Sequence, residues 1–551
     1  MHFFIFIAFT ALVGTIAYLA TKNIDETSSD GYFLGGRSLS GVVIAGSLLL
    51  TNLSTEQLVG LNGQAYDNGI LVMAWETLAA LTMVVTAVVL LPRYLKGGIT
   101  TVPQFLEIRY DTMTKTITSG LFLSGYMIVL LPIVLYSGSL ALIEIFDIPE
   151  SLNISKQAAL PITVFSIGIV GSIYAIFGGL KAVAVSDTVN AVGLLIGGTL
   201  VPVFGLIYIG DGSMMQGIET LVASNPEKMN IIGGPGDPVP FSTLFTGMML
   251  VQLFYWGTNQ AIIQRALAAK NLVEGQKGLI YAGFIKILGP IIVVLPGIIA
   301  YHIFGNNSEV SGDMSYGMLV AKVLPASLLG FFAAVLFGAI LSSFNSALNS
   351  SVTLFGLDIY KQYFKKEATE KQVVRAGKTF GIGLALLSMI IAPLIQYAPG
   401  GLFDYLQEIN GFYSIPILTI IIVGYLTKKI PAIGAKVALF SGSILYLISQ
   451  FIIKPFLFVN PALEKAKEIG ITDQIELDFI KNTAYPHFLH VMAILFLLNV
   501  LIMLAIGHFK PRETDFELEY TKQVDITPWK LVKPMGLLIS VIVILIYYAF
   551  S

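Results

Sequence analysis

The chain has 551 residues, 55% hydrophobic and only 12% charged, against about 25% charged in an ordinary soluble domain. Its 32 Lys and Arg nearly cancel its 34 Asp and Glu, so there is no basic excess with which to bind nucleic acid, and the apolar content excludes a disordered chain. With no cysteine, disulfides, iron–sulfur clusters, thiolate zinc sites and catalytic thiols are excluded too. Too little charge remains to cover a soluble protein of this size, which makes the chain an all-α polytopic membrane protein with the lipid bilayer as its solvent.

A bilayer core takes about 20 mostly apolar residues per helix. Apolar runs bounded by charge, Gly or Pro predict about 14 transmembrane helices. The first seven lie at 2–21, 41–66, 69–92, 118–145, 158–178, 183–210 and 241–263. The others lie at 278–303, 323–356, 379–398, 407–427, 432–455, 486–509 and 531–550. The first segment opens Met1-His2-Phe3-Phe4, with no basic stretch before it and no small-residue cleavage site after it, so it reads as a retained span. With the N-terminus outside, 24 of the 32 Lys and Arg fall in inside loops, seven fall outside, and only Lys286 lies within a span. Arg265 counts among the loop residues, which leaves the spans without any Arg. This bias predicts both termini outside the cytoplasm, in a plasma or bacterial inner membrane. Two longer polar stretches, 211–240 and 456–485, are too short for catalytic domains. The second reads as a short amphipathic helix, and Gly233-Gly234-Pro235-Gly236 in the first lacks the Lys and helix of a phosphate loop.

Ionisable and polar residues inside spans are functional candidates. Thr51-Asn52-Leu53-Ser54-Thr55-Glu56-Gln57 puts six hydrogen-bonding side chains into seven residues. A helix interrupted there exposes backbone carbonyls and a new helix N-terminus at mid-membrane; the alternative is a polar face within a bundle. Glu76 is alone in an apolar span beside Trp75, a carboxylate next to an apolar plate, suited to a sugar. Lys286 needs an anionic or hydroxyl partner, and Glu76 is a candidate; a purely structural pair is the competing account. Gln252 to Gln260 (QLFYWGTNQ) is a mid-span polar-aromatic string, read as a stacking floor, a gate or an aromatic packing cluster. Ser342, Ser343, Asn345 and Ser346, with Asp187, supply hard oxygen ligands for a small cation, although serines also serve close helix packing. His487 and His490 lack a third ligand and read as an interfacial pair.

At these residues the chain resembles the sodium/solute symporter family, most closely its bacterial sodium–galactose and animal sodium–glucose cotransporters, over roughly residues 30–430. The matching strings are Gly31–Leu39 (GYFLGGRSL), Asn52–Gln57, Tyr174–Val183 (YAIFGGLKAV) and Gln264–Lys270 (QRALAAK). The resemblance implies a LeuT-type five-plus-five inverted repeat with extra helices at both ends. Its parts are a first helix and linker at 1–40, a first half at 41–210, an outside loop at 211–240, a second half at 241–427, and three C-terminal helices with an outside loop at 428–551. It also implies a solute site at Asn52, Gln57, Glu76, Gln252, Lys286 and Gln407. Tyr255 and Trp256 match an inner gate, and Leu61, Trp75 and Phe403 an outer one. Sodium is implied at Leu50, Leu53, Ala339, Ser342 and Ser343, with Asp187 and Ser346 matching a second sodium site or an ion-release step. The chain departs from the bacterial galactose carrier at Trp75, Ala79 and Gln252, which are Tyr, Ser and Asn there.

The expected function is sodium-coupled uptake of a neutral sugar, a hexose such as galactose or glucose, with sodium as transported ion rather than prosthetic group. No nucleic acid and no obligatory protein partner are expected. An anionic solute wants an unpaired cation or a helix N-terminus, and the one span Lys has Glu76 as partner. The alternative is a sodium symporter for another small solute: a polyol, an amino acid such as proline, or a monocarboxylate. No span pairs a nucleophile with a base as catalysis requires, so the chain is not read as an enzyme; a sensor, antiporter or channel is disfavoured as well.

Overall fold

In a computed structural model, residues 2–22, 28–305, 307–308, 310–397 and 402–550 are described. Met1, the end of the tenth candidate span at Ala398 and the side chains of 174–178 in the third matching string lie outside the described residues.

The described residues form helices α1 (His2–Thr21), α2 (Gly41–Asn52), α3 (Glu56–Asn68), α4 (Ile70–Lys96), α5 (Thr112–Phe146) and α6 (Lys156–Ile209). After the 211–240 stretch, which holds a short helix at Met214–Ser224, come α7 (Gly247–Gly257), α8 (Gln260–Leu267), α9 (Leu272–Phe304), α10 (Ala326–Phe364), α11 (Glu370–Tyr397) and α12 (Phe403–Leu426). The C-terminal helices are α13 (Ala432–Glu468), α14 (Gln474–Phe509) and α15 (Val532–Ala549).

Among the described residues, 12 helices are long and apolar enough to cross a bilayer, or 13 if the bent pair α2–α3 is one span. The sequence predicts about 14, and the missing one is 241–263. There the helix stops at Gly257 and restarts at Gln260, leaving pieces of 11 and 8 residues, each too short to span alone. The stretch 456–485 holds the end of α13, a turn, and a short amphipathic helix at Gln474–Thr483 at the head of α14.

α6 runs for 54 residues but is two spans, because Gly179 leaves the helical conformation (φ 58°, ψ −178°). A side chain there would be strained by the positive φ and would crowd the Tyr32 carbonyl, 3.2 Å from a Cβ. The order of elements repeats: the broken α2–α3 leads α4, α5 and the two arms of α6, and the broken α7–α8 leads α9 to α12. α2 packs against α6 and α9, α4 packs against α9 and α7, and α1 lies on α6 and α10. Both breaks therefore sit in the interior of the bundle.

Candidate functional site

The first break follows from its residues. Thr, Asn and Ser compete with the helix for backbone hydrogen bonds. Leu53 leaves the helix at φ −77°, ψ 53°, and α3 resumes bent by 54°. A helix that stops frees the carbonyls of its last turn. α10 faces these carbonyls with its serines: the Ser343 hydroxyl donates to the Thr51 carbonyl at 2.6 Å, and the Thr51 hydroxyl lies 3.2 Å from both the Ser342 and Ser346 hydroxyls. Leu50, Leu53, Ala339, Ser342 and Ser343 are all buried. Hydroxyls and freed carbonyls without a soft donor suit a small hard cation.

Beside this oxygen cluster stands a cation of the chain itself. The Arg265 guanidinium is wholly buried, 3.8 Å from the Asp187 carboxylate. Its Nε donates to the Ser47 hydroxyl at 2.7 Å, and that hydroxyl donates to Asp187 at 2.6 Å. The other guanidinium nitrogens reach the Ser346 hydroxyl and the Ala261 carbonyl. The sequence reading, which leaves Arg265 in an inside loop and the spans without Arg, is corrected here. The eight-residue α8 packs against α2, α9 and α10 and carries the guanidinium into the bundle, where a buried charge needs the paired and hydrogen-bonded surroundings it has. Asp187 and Ser346 thus share one network, joined by Arg265 and Ser47.

The second break is held by tyrosines. The Tyr94 hydroxyl donates to the last α7 carbonyl, Gly257, at 3.0 Å. The Tyr126 hydroxyl donates to Asn259 Oδ1 at 2.6 Å and accepts from the Ala261 N–H at 3.0 Å, while Asn259 itself caps α8. This anchors the turn that follows Tyr255 and Trp256.

Between the two breaks lies a cavity lined by Asn52, Gln57, Glu76, Gln252, Lys286 and Gln407, with Trp75, Tyr255 and Trp256. Lys286 Nζ donates to Glu76 Oε2 at 2.5 Å and also to Asn52 Oδ1; both members of the ion pair are 1% exposed. The ammonium stands 5.7 Å from the Trp256 ring centre. Gln252 donates to the Trp75 carbonyl at 2.7 Å and accepts from the Trp256 indole N–H at 3.1 Å. Gln57 Oε1 and Trp75 Nε1 are buried with no hydrogen-bond partner among the described residues. One end is shut by Trp75 and Phe403, packed edge to face at 5.3 Å, with Leu61 buried in the same core. At Tyr255, whose ring stands 5.1 Å from that of Trp256, the wall is only partly buried. The interior leaves about 30 Å³ for the centres of water-sized molecules, room for about two waters. A solute ring of about a dozen non-hydrogen atoms enters only when the walls draw apart.

The solute-site residues thus meet in one cavity, and of the residues expected to bind sodium Leu50, Leu53, Ser342 and Ser343 lie at the first break, while Ala339 is buried on α10. Asp187 and Ser346 sit with Arg265, and the His490 ring is held by Ser242 and Thr246 at 3.0 Å each. Sequence reasoning missed Ser47, the Arg265 network, Tyr126 and Gly289. A Cβ on Gly289 would overlap Glu76 Oε2 and stand 3.1 Å from its carboxyl carbon. For Arg265 a signal existed, its place in the QRALAAK string. Gly289 had none, because its importance comes from α4 approaching across the bundle.

A profile of the sodium:solute symporter family matches residues 32–442. The chain is 47% identical over 539 residues to an uncharacterized symporter, YidK, of Escherichia coli (strain K12), covering 98% of this chain and 89% of that protein. It is 34% identical over 464 residues to a sodium/glucose cotransporter of Vibrio parahaemolyticus, covering 79% of this chain and 82% of the relative. A sodium/myo-inositol cotransporter 2 of Oryctolagus cuniculus is 28% identical over 534 residues, with 91% and 75% covered. Among solved structures, a Na+-coupled sialic acid symporter in a substrate-bound outward-open state aligns at TM-score 0.72 and 17% identity, over 93% of this chain and 99% of that one. The fold is the LeuT-type fold of such transporters. The chain belongs to the sodium:solute symporter family, a family of transporters rather than enzymes, in which sodium is cargo.

Proposed function

We propose that the protein takes up a neutral sugar, a hexose such as galactose or glucose, together with sodium by alternating access. The observation that carries this reading is the Lys286–Glu76 pair. The cavity's ammonium is answered by a carboxylate in the same wall, and apart from Ala79 and Val251 the remaining lining is amide and aromatic. An anionic solute would compete with Glu76 for Lys286, whereas a polyol uses both partners as donor and acceptor, with an indole face for its ring. Asn52, Gln57, Glu76, Gln252, Lys286 and Gln407 are assigned to the solute, Tyr255 and Trp256 to the inner gate, and Leu61, Trp75 and Phe403 to the outer gate. Sodium is assigned to Leu50, Leu53, Ala339, Ser342 and Ser343. The names of relatives that cotransport sodium with glucose or myo-inositol support a polyhydroxylated solute and keep a cyclic polyol as the second reading.

The halves are assigned to 41–210 and 241–427, with both termini outside the cytoplasm in a bacterial inner membrane. With Arg265 set aside as carried into the bundle by α8, the basic residues still divide 23 inside to seven outside. A sodium ion moving inward gains about 2.3 kcal/mol per 100 mV, and a tenfold sodium ratio adds about 1.4 kcal/mol. Together these sustain a solute gradient of roughly a few hundredfold. The test is uptake into proteoliposomes under an inward sodium gradient, with labelled galactose, glucose, myo-inositol, proline and sialate. Sodium-driven accumulation of a neutral sugar is expected. Preference for proline or the acid, or uptake indifferent to sodium, overturns the proposal.

A further inference from the structure

Where α11 meets the first arm of α6, a groove of about 200 Å³ opens on the outer surface of the bundle. Its rims are Ile169 and Ile173 on α6 and Ile382 and Leu386 on α11, each between 49% and 57% exposed; its floor is Ala385 and Met389, both buried. The floor sits this close to α6 because position 168 is glycine, where a Cβ would stand 2.6 Å from Met389 Cγ. The groove offers no free hydrogen-bonding group. Ser172, the polar residue in its lining, donates its hydroxyl to the Gly168 carbonyl at 2.5 Å. An occupant is therefore apolar along the groove, which runs about 10 Å from Ile382 to Met389.

The same face of α11 carries charge. At 3.6 residues per turn, Lys371, Arg375, Ile382, Ala385, Leu386 and Met389 fall within about 100° of arc. Lys371 and Arg375 are both exposed and precede Ile382 by about 16 Å and about 10 Å along the helix. No ion pair among the described residues uses either of them. Of their neighbours, Glu370 accepts from the Ser29 N–H at 3.0 Å, and the Lys378 ammonium stands 4.5 Å from the Tyr32 ring centre. Across 361–378, six basic residues stand against two acidic ones. A cation excess in inside loops orients a span, but it does not require two of the cations to line up with an apolar groove.

We propose that this face seats one anionic phospholipid, with its phosphate headgroup at Lys371 and Arg375 and an acyl chain in the groove. The order of groups along α11, cations first and then an apolar channel, is the order of groups in a phospholipid. A free phosphate would meet the cations and leave the groove unfilled. The Arg375 guanidinium presents paired N–H donors to phosphate oxygens, and Lys371 adds a point charge. A zwitterionic headgroup brings an ammonium of its own against this pair, which selects a lipid with net negative charge. Its place in the inner leaflet follows from the topology proposed above.

Native mass spectrometry of the purified full chain, titrated with phosphatidylglycerol or with phosphatidylcholine of identical chains, tests this. Two exposed cations, each contributing about fivefold, make the expected preference for phosphatidylglycerol roughly tenfold or more, with one lipid retained per chain. The double variant Lys371→Gln, Arg375→Gln is expected to lose the preference. Ile173→Trp, which places an indole over the groove from its exposed rim, is expected to lower retention of phosphatidylglycerol. Lys465→Gln with Lys467→Gln, an exposed pair at the end of α13, removes the same charge elsewhere and is expected to leave the preference intact. Every variant is first verified as monodisperse, and millimolar inorganic phosphate is expected not to displace the lipid. Equal retention of the two lipids overturns the proposal, as does a preference that survives Lys371→Gln, Arg375→Gln or falls equally in the α13 pair. Unchanged retention in Ile173→Trp, or displacement by inorganic phosphate, overturns it too.

Discussion

Replacing Glu76 with Gln removes the carboxylate that faces the Lys286 ammonium at 2.5 Å in a wall where both are 1% exposed. Breaking a buried ion pair from one side costs about 3–5 kcal/mol, since the other charge stays buried without compensation. Asn52 Oδ1 still accepts from Lys286, which puts the expected loss at about 3 kcal/mol. A solute hydroxyl loses a charge-assisted hydrogen bond worth about 1.5–3 kcal/mol, so the KM for solute rises roughly tenfold to a hundredfold. Replacing Lys286 with Met strands the carboxylate instead, with a loss of similar size. The double variant removes both charges together, and it is expected to be more stable than either single variant, with a coupling of at least about 2 kcal/mol. The assays are thermal unfolding midpoints of the four proteins in one detergent, read as an order of stability, and the KM of sodium-driven uptake. If the two single losses simply add in the double variant, or if Glu76→Gln keeps the wild-type KM, the pair does not have the role assigned to it.

Ser343→Ala removes a hydroxyl from the proposed sodium seat and its bond to the Thr51 carbonyl. Half-maximal sodium is expected to rise by about twofold to tenfold, with solute KM at saturating sodium little changed; an unaltered sodium titration would sink the assignment. Gly289→Ala drives a methyl group into the Glu76 carboxylate, an overpacking cost of about 1–3 kcal/mol. Solute KM should rise while the protein still reaches the membrane, and an unchanged KM would place Glu76 outside the binding step. Tyr126→Phe takes the hydroxyl away from Asn259 and Ala261 and is expected to lower the maximal rate more than it raises the KM, since it loosens the hinge rather than the wall; the reverse pattern in uptake kinetics counts against a hinge. Burial alone would raise the pKa of Asp111, but the Lys436 ammonium and the Thr114 N–H and hydroxyl outweigh it and hold the carboxyl below its ordinary value. A depressed folded pKa stabilises above the unfolded value and fades as pH falls through the folded one. The gap in unfolding midpoint between wild type and Asp111→Asn, measured at about pH 7 and about pH 3, should therefore close at the acid end.

How much of this was legible in the sequence depends on the distance between partners. Six hydrogen-bonding side chains within residues 51–57 cannot face lipid, so the first break could be read from seven consecutive letters. Glu76 and Lys286 stand alone in apolar spans, and with only one Lys inside the predicted spans to satisfy, the pairing could be proposed across 210 positions. Arg265 was misread because hydropathy scores a short helix folded back into a bundle as a polar loop. Only the tertiary approach of Asp187, 78 positions earlier, shows where its charge is met. The hinge tyrosines were silent for a related reason. Tyr94 and Tyr126 look like any span aromatics, and their hydroxyls matter because α4 and α5 pass the gap between α7 and α8.

The two sites meet in adjacent residues, and this is where coupling has a physical basis. Thr51 reaches the serines of α10 through its carbonyl and its hydroxyl, while Asn52, next in the chain, accepts from Lys286 in the solute cavity. Both sit at the end of α2, where no helical hydrogen bonds lock the backbone onward. A cation drawing the freed carbonyls toward Ser342 and Ser343 fixes the turn that sets where Asn52 Oδ1 stands. Lys286 answers to Asn52 and Glu76 together, so the same turn decides how the ammonium is shared between the wall and a solute hydroxyl. Such an element supplies a coupling of about 1–3 kcal/mol if it has two arrangements and each ligand favours the same one. Reciprocity then requires solute to tighten sodium by the factor with which sodium tightens solute. A continuous helix through 51–57 would have its carbonyls satisfied internally and would offer the ion nothing to pull. Under the proposed assignments, the break in α2 is therefore what allows a sodium gradient to do work on an uncharged solute.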